Sequence, residues 1–154
     1  MSVEDKLAEL GLTLPRPAAP VAAYVPVVIA GGMAYVSGQV SMKDGHLIKG
    51  RLGETMTPEE GIAAAQACGL MIVAQLKAAL GGDLSRVEKI VKLGAFVSST
   101  ADFVDQPKIA NGASERMVAL FGEAGRHARS AVGVPVLPLG VAVEIDAVVA
   151  VRAA

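Results

Sequence analysis

The chain has 154 residues, a formal net charge of −1, 53% hydrophobic residues and 3% aromatic residues. This near-neutral balance gives no general attraction to nucleic acids or anionic membranes. Its one cysteine, Cys68, excludes an intramolecular disulfide and a cysteine-based metal cluster. The length suits one domain over residues 1–154. The start of the chain has no basic segment and no apolar run, so no signal peptide is predicted and a cytoplasmic protein is expected.

The first twenty residues are predicted to form a short helix and an extended lead-in. Ser2 can cap a helix over 2–10, Asp5 stands at the capping-box position, and Gly11 ends it. The residues that follow favour extended backbone because three prolines lie close together. They are Pro15, Pro17 and Pro20.

Residues 17–42 carry no charge and form a span long enough to cross a bilayer. Prolines and glycines interrupt the span, so a membrane helix is not expected. Two short strands are predicted instead, over 25–29 and 33–37, joined by a glycine-rich turn. A further short strand is predicted over 40–48, around an Asp-Gly turn signal.

A long helix is predicted between residues 57 and 80. Thr57 can cap it, Pro58 suits the first helical position, and Glu60 can complete a capping box. A pair of glycines after residue 80 ends it. Cys68 lies in the middle of this helix and is interpreted as buried filler. The apolar residues that recur on one helical face are Ile62, Ala65, Gly69, Ile72, Val73, Leu76 and Leu80.

The following segment is predicted to form a strand and then a helix. Residues 87–97 are apolar and rich in β-branched residues, with Gly94 marking a possible bulge. Residues 102–106 and 112–124 favour helix, with an interruption around Pro107.

The last two strands are predicted over 130–136 and 141–151. The order of elements indicates an α+β fold with helices on one face of a mixed sheet. The high apolar content indicates that part of the surface lies in a homo-oligomer interface, although a chain that is merely rich in alanine is the alternative.

Two charged residues near the C-terminus are the main candidates for chemistry. Arg129 enters the first of the last two strands, and Glu144 lies in the second, on the same face as Asp146. A guanidinium offers two parallel donors to a planar carboxylate, and a carboxylate can position or activate water. From the residues alone, a structural ion pair for Arg129 and an exposed strand acid for Glu144 remain alternatives.

An ordered set of short motifs resembles the Rid/YjgF family, also known as endoribonuclease L-PSP. The resemblance runs from about Ala19 to Val151 and implies a chorismate-mutase-like α+β fold. It also implies a homotrimer with clefts between subunits, no cofactor and no metal. The motifs are Tyr24-Val25-Pro26, Val36-Ser37-Gly38-Gln39, Val87-Glu88-Lys89-Ile90-Val91-Lys92, Asn111-Gly112-Ala113-Ser114, Arg129-Ser130, Leu137-Pro138 and Val143-Glu144-Ile145-Asp146-Ala147.

The resemblance implies hydrolysis of small 2-imino or enamine acids to 2-oxo acids and ammonia. In this interpretation Arg129 binds the substrate carboxylate and Glu144 places or activates the water. The candidate substrate-binding residues are Tyr24, Ser37, Gly38, Asn111 and Ala131. For several of them a structural role is the alternative. Tyr24 suits a core or rim position, the segment Ser37 to Gln39 suits a turn, and Asn111 suits a helix cap, which we favour.

Two departures from the family pattern leave a second function open. Ala131 stands where many relatives carry a cysteine, and Gly133 where a glutamate is common. A module that binds a 2-oxo acid without turning it over is therefore the alternative. A ribonuclease or chaperone-like role ranks lowest, because Arg126 and Arg129 are too few for a nucleic-acid surface. His127 is interpreted as a surface residue beside Arg126 or, less favoured, as a catalytic group.

Overall fold

The computed structural model describes residues 1–20 and 22–154. The helices in these residues are α1 (Val3–Glu9), α2 (Pro58–Ala79) and α3 (Gln106–Phe121). The strands are β1 (Val27–Ala30), β2 (Met33–Val40), β3 (Met42–Lys43), β4 (His46–Leu47), β5 (Val87–Ser98), β6 (Ala128–Val134) and β7 (Val143–Val151). Short 3-10 turns lie at Leu84–Arg86, Gly122–Gly125 and Pro138–Gly140.

Five strands form one mixed sheet in the order β1-β2-β7-β5-β6. Its neighbouring strands are antiparallel except β5 and β6, which are parallel. The strands β3 and β4 form a separate hairpin. The core lies between the sheet and the helices α2 and α3, so one face of the sheet is covered and the other is not. This confirms the predicted α+β fold with helices on one face.

The long helix α2 begins and ends where its sequence predicts. Thr57 and Glu60 form a reciprocal capping box, with Pro58 in the first turn. Gly81 and Gly82, both with positive φ, follow its end. Among the described residues α2 is the helix long and apolar enough to cross a membrane, yet 61% of its apolar window is buried, as in a core helix. Cys68 is buried within it as predicted, and this burial raises the pKa of its thiol.

Small residues let α2 and α3 pack closely, which explains part of the alanine-rich composition. A Cβ on Gly112 of α3 would clash with the carbonyl oxygen of Ile62 on α2. Gly69 of α2 likewise lies against the backbone of Ala113. Their lack of side chains brings the two helices into direct contact.

The predicted elements from the start of the chain to β5 agree with the structure in type, with two differences. The capping box of Ser2 and Asp5 is formed, and the strands β1 and β2 meet at a glycine turn. Residues 40–48, however, form the β3–β4 hairpin and not a single strand. Gly94 does not mark a bulge: the register of β5 shifts near residues 87–92 instead.

Three further boundaries differ. Helix α3 is continuous from Gln106, and residues 102–106 do not form a separate helix. Pro107 lies in the first turn of α3, where its missing N–H has no helical acceptor to lose, so it starts the helix and does not interrupt it. Strand β6 begins two residues earlier than predicted, at Ala128, and β7 begins two residues later, at Val143.

Candidate functional site

The sheet register places Arg129 and Glu144 on opposite faces. Residues that are paired across neighbouring strands share a face. Arg129 pairs with Leu93, a core residue, so its side chain lies on the face covered by helices, here called the inner face. Glu144 pairs with Phe96, which pairs with Val132, and this row lies on the uncovered outer face. One chain therefore does not bring the two charged groups together.

Glu144 lies in a cavity of about 290 Å³, here called the Glu144 pocket. Tyr24 and Gly38, two of the predicted substrate-binding residues, line it, and most other lining residues are apolar. Leu139, in the left-handed conformation at φ 62°, forms part of the rim. The other residues around the cavity are Ala18, Ala19, Pro20, Pro26, Gln39, Val40, Met42, Met71 and Pro138.

Two glycines make room for carboxylates on the outer face. A Cβ on Gly38 would overlap the carboxylate of Glu144, and a Cβ on Gly94 would overlap that of Asp146. Gly38 lies within β2, where the register shifts between Val36 and Gln39. The segment predicted as a turn is therefore a bulged part of a strand, and the role of its glycine is space for Glu144.

The environment of Glu144 disfavours its charged form. Burial raises the pKa of Glu144, and the negative charge of Asp146 raises it further. Burial also raises the pKa of Asp146, opposed by the Gly94 backbone N–H and the charge of Lys92. A carboxyl group with a raised pKa can both accept and donate a proton nearer to neutral pH, which suits acid–base chemistry.

Polar side chains hold the residues before β1 against this pocket. The Ser37 hydroxyl donates to the carbonyl oxygen of Val25 at 2.9 Å. Gln75 Nε2 donates to the Ala18 carbonyl oxygen at 2.8 Å and to Gln39 Oε1 at 3.2 Å. Ser37 is not among the residues that line the Glu144 pocket. In the described structure it positions the segment that carries Tyr24.

On the inner face, Arg129 lies against α3 at the edge of the sheet. Its Nη1 donates to Asn111 Oδ1 at 2.8 Å and to Ser114 Oγ at 3.1 Å. Asn111 lies inside α3, one turn after its start, so the interpretation as a helix cap is wrong. These bonds involve one guanidinium nitrogen, and they fix the orientation of the side chain.

His127 extends this network. Its Nδ1 lies 2.7 Å from the Gly125 carbonyl oxygen, which can only accept, so Nδ1 carries the hydrogen. Its Nε2 lies 2.9 Å from Ser114 Oγ and, in the neutral ring, accepts the hydroxyl hydrogen. Burial lowers the pKa of His127, the charges of Arg129 and Lys89 lower it further, and the Gly125 carbonyl opposes them. The ring is therefore kept neutral, which leaves the hydroxyl oxygen free to accept from Arg129.

The interpretation of His127 as a surface residue beside Arg126 is therefore wrong. His127 is partly buried, and Arg126 instead pairs with Glu123. The contribution of Ser114 was not predicted. A signal was present, because Asn111 and Ser114 are three residues apart and so lie on the same side of a helix.

The two departures from the family pattern, Ala131 and Gly133, lie on the inner face of β6, which is an edge strand of the sheet. Ala131 is partly buried against the core, two residues after Arg129 on the same face. At Gly133 a Cβ would come within 2.5 Å of Ser99 Oγ and 2.6 Å of Gln106 Nε2. No side chain fits there without movement. Among residues 1–20 and 22–154, no group of three or more histidine, cysteine or acidic residues could hold a metal ion.

Comparison with known proteins identifies relatives along nearly the whole chain. A family model described as "YjgF/chorismate mutase-like, putative endoribonuclease" matches residues 4–149. Protein TCP17 from Trypanosoma cruzi is 50% identical over 149 residues, covering 96% of this chain and 92% of that protein. The crystal structure of Atu1372 from Agrobacterium tumefaciens, described as of unknown function, is 44% identical with a TM-score of 0.91. The match covers 97% of this chain and 93% of the Atu1372 chain.

A protein named RidA is a more distant relative. The RidA structure from the Antarctic bacterium Psychrobacter sp. PAMC 21119 is 30% identical, with a TM-score of 0.60, and covers 90% of this chain and 96% of its own. The chain is therefore more similar to Atu1372 than to this RidA, both in sequence and in structure.

Proposed function

The chain belongs to the YjgF/chorismate mutase-like family, and from this premise we propose that it hydrolyses small 2-imino acids to 2-oxo acids and ammonia. The observation that carries the proposal is the placement of one oriented arginine and one carboxylate of raised pKa at the two family motif positions, Arg129 and Glu144. The hydrogen bonds of Arg129 suit a role in binding a carboxylate, and the raised pKa of Glu144 suits a role in proton transfer.

Arg129 anchors the substrate carboxylate. Asn111 and Ser114 hold only Nη1, so Nη2 and Nε can present two parallel donors to a planar carboxylate. Among the described residues Arg129 forms no ion pair, so its charge is not already neutralised by a protein carboxylate. This supports a ligand role over a structural salt bridge.

Glu144 activates the water and transfers protons during the reaction. Water adds to the carbon of the C=N bond while the nitrogen takes a proton, which gives a tetrahedral carbinolamine. The C–N bond then breaks, ammonia leaves with the bonding electron pair, and the hydroxyl becomes the carbonyl of the 2-oxo acid. Glu144 accepts a proton from the attacking water and passes it to the imine nitrogen; it then accepts the hydroxyl proton of the carbinolamine and passes it to the leaving nitrogen. No cofactor is needed, because the electrons and atoms balance with water alone.

The complete site is shared between neighbouring subunits of a homotrimer. Arg129 and Glu144 lie on opposite faces of one sheet, so a second copy must bring the missing partner to each. The uncovered outer face supports such an assembly, because it exposes large apolar side chains that a partner would bury. Val28, Tyr35 and Val132 are 51%, 49% and 46% exposed. The number of three subunits follows from the family resemblance.

The Glu144 pocket favours small aliphatic substrates. A volume of about 290 Å³ is at the lower end of the range for ligand cavities. Its walls are mainly alanine, proline, methionine and valine side chains. We therefore take 2-iminopropanoate and 2-iminobutanoate as the first substrates to test.

The test measures ammonia release from these imines, generated in place by an amino-acid oxidase. Wild type should accelerate release, and Arg129→Ala and Arg129→Lys should lose the acceleration while melting normally. Arg126→Ala is the matched control, because that arginine is exposed and pairs with Glu123. Normal turnover in Arg129→Ala would refute the proposed anchor.

A second candidate function is binding of a 2-oxo acid without turnover. Ala131 and Gly133 favour it, since the inner-face edge lacks the cysteine and glutamate common in the family. In that case pyruvate should raise the melting temperature of wild type and not of Arg129→Ala, and wild type should not accelerate imine hydrolysis.

A further inference from the structure

A second cavity, here called the helix-side cavity, lies on the opposite side of α2 from the sheet. It has a volume of about 920 Å³. The lead-in residues 11–19 form one wall and the β3–β4 hairpin another, while α2 forms the floor. Arg116 is the residue of α3 that lines it. Neither Arg129 nor Glu144 lines this cavity, so it is separate from the proposed catalytic groups.

Arg116, which lines this cavity, has a polar group without a partner among the described residues. Its Nε is buried and has no hydrogen-bond acceptor among the described residues. The guanidinium also forms no ion pair with them. A ligand carboxylate would neutralise the charge of this guanidinium.

The rest of the lining indicates which ligand would bind. Leu12, Leu14, Ile48, Leu70 and Met71 give the cavity a long apolar surface. The charged side chains that line it are Arg16, Lys43, Arg116 and Asp44, so cations predominate. The volume lies within the range of small-molecule sites.

We propose that the helix-side cavity binds a free aliphatic carboxylate, with its head group on Arg116 and its tail along Leu70 and Met71. The carboxylate accepts from the two terminal guanidinium nitrogens, a pairing that arginine geometry favours. The tail then buries the apolar lining of α2.

The cavity also shares a wall with the Glu144 pocket. Ala18, Ala19, Met42 and Met71 line both. Gln75 holds Ala18 in place from α2. A ligand in the helix-side cavity would therefore contact the segment that shapes the Glu144 pocket, but its binding does not depend on any activity there.

The experiment is calorimetric titration with octanoate, using octanol as the probe of equal chain length without the charge. Wild type should bind octanoate and bind octanol at least about tenfold more weakly. Arg116→Met, which keeps the apolar stem, should weaken octanoate binding by a similar factor. Arg126→Met, at an exposed site, should bind like wild type.

A second measurement on unaltered protein keeps the test decisive if Arg116→Met does not fold. Nuclear Overhauser contacts should connect the octanoate tail with the methyl groups of Leu70 and Met71. The proposal is overturned if wild type does not bind octanoate, if Arg116→Met binds it equally well, or if the tail contacts lie elsewhere. None of these results decides whether imine hydrolysis occurs, which is tested separately at Arg129 and Glu144.

Discussion

If each cleft takes Arg129 from one subunit and Glu144 from the next, two inactive variants should restore activity together. Arg129→Ala still supplies Glu144, and Glu144→Gln still supplies Arg129. The two chains are co-expressed with different affinity tags, and mixed assemblies are isolated by purifying on both tags in turn. Each variant alone should lack turnover, because every cleft in its homotrimer misses one group.

The expected recovery follows from the symmetry of the assembly. In a cyclic trimer the interfaces are head-to-tail. Any trimer that contains both variants then has one cleft with Arg129 from the Glu144→Gln chain and Glu144 from the Arg129→Ala chain. Turnover should reach about one third of the wild-type value. A two-fold dimer would instead give about one half, so the fraction also reports the number of subunits.

The assay is initial-rate ammonia release per assembly, with the mass of each assembly measured by light scattering. The control joins wild type with the double variant Arg129→Ala/Glu144→Gln. In mixed trimers of this pair, the competent clefts are those between adjacent wild-type chains. A folded mixed assembly of the two single variants that shows no turnover, beside an active wild type, would refute the shared cleft.

Three further predictions concern single residues. Gly38→Ala should lower kcat/KM for 2-iminopropanoate by about tenfold or more, because the new Cβ displaces the Glu144 carboxylate, whereas unchanged kinetics would contradict the close approach. The pKa of His127 is lowered from 6.5, so the unfolded chain takes up a proton that the folded chain does not. The free energy of unfolding should therefore fall below about pH 6.5, less so in His127→Gln, with exposed His46→Gln as the control for urea titrations between pH 5 and 8. The pKa of Glu144 is raised instead, so its ionisation destabilises the folded chain as pH rises above 4.5. Glu144→Gln should melt higher than wild type at pH 7.5 but not at pH 4, while losing activity.

Local signals in the sequence were enough to predict the helices and most strands. Helix ends are set by interactions within a few residues, so they can be predicted from the sequence. Examples are the capping boxes at Ser2 and Thr57 and the glycines after α2. The alternation of β7 likewise places Glu144 and Asp146 on one face. The predicted helix interruption at Pro107 is wrong because proline disrupts a helix in its interior but is favoured in the first turn, where Pro107 lies.

Features that depend on strand order could not be predicted in the same way. Arg129 and Glu144 lie on opposite faces because their strands pair with β5 in a register that places Arg129 beside Leu93 and Glu144 beside Phe96, and this pairing is long-range. The contact of Arg129 with Ser114 requires α3 to pack beside β6. The space that Gly38 and Gly94 leave for carboxylates exists only once three strands are aligned. These contacts join residues that are far apart in the sequence, and short motifs do not predict them.

The structure gives a physical explanation for the glycine at position 133. Its missing side chain is replaced in space by Ser99 and by Gln106, whose Nε2 donates to Ser99 Oγ at 3.4 Å and to the Phe103 carbonyl oxygen at 2.7 Å. Any side chain here would have to displace the ends of the Ser99 and Gln106 side chains. Arg129 contacts α3 further along the helix, through Asn111 and Ser114.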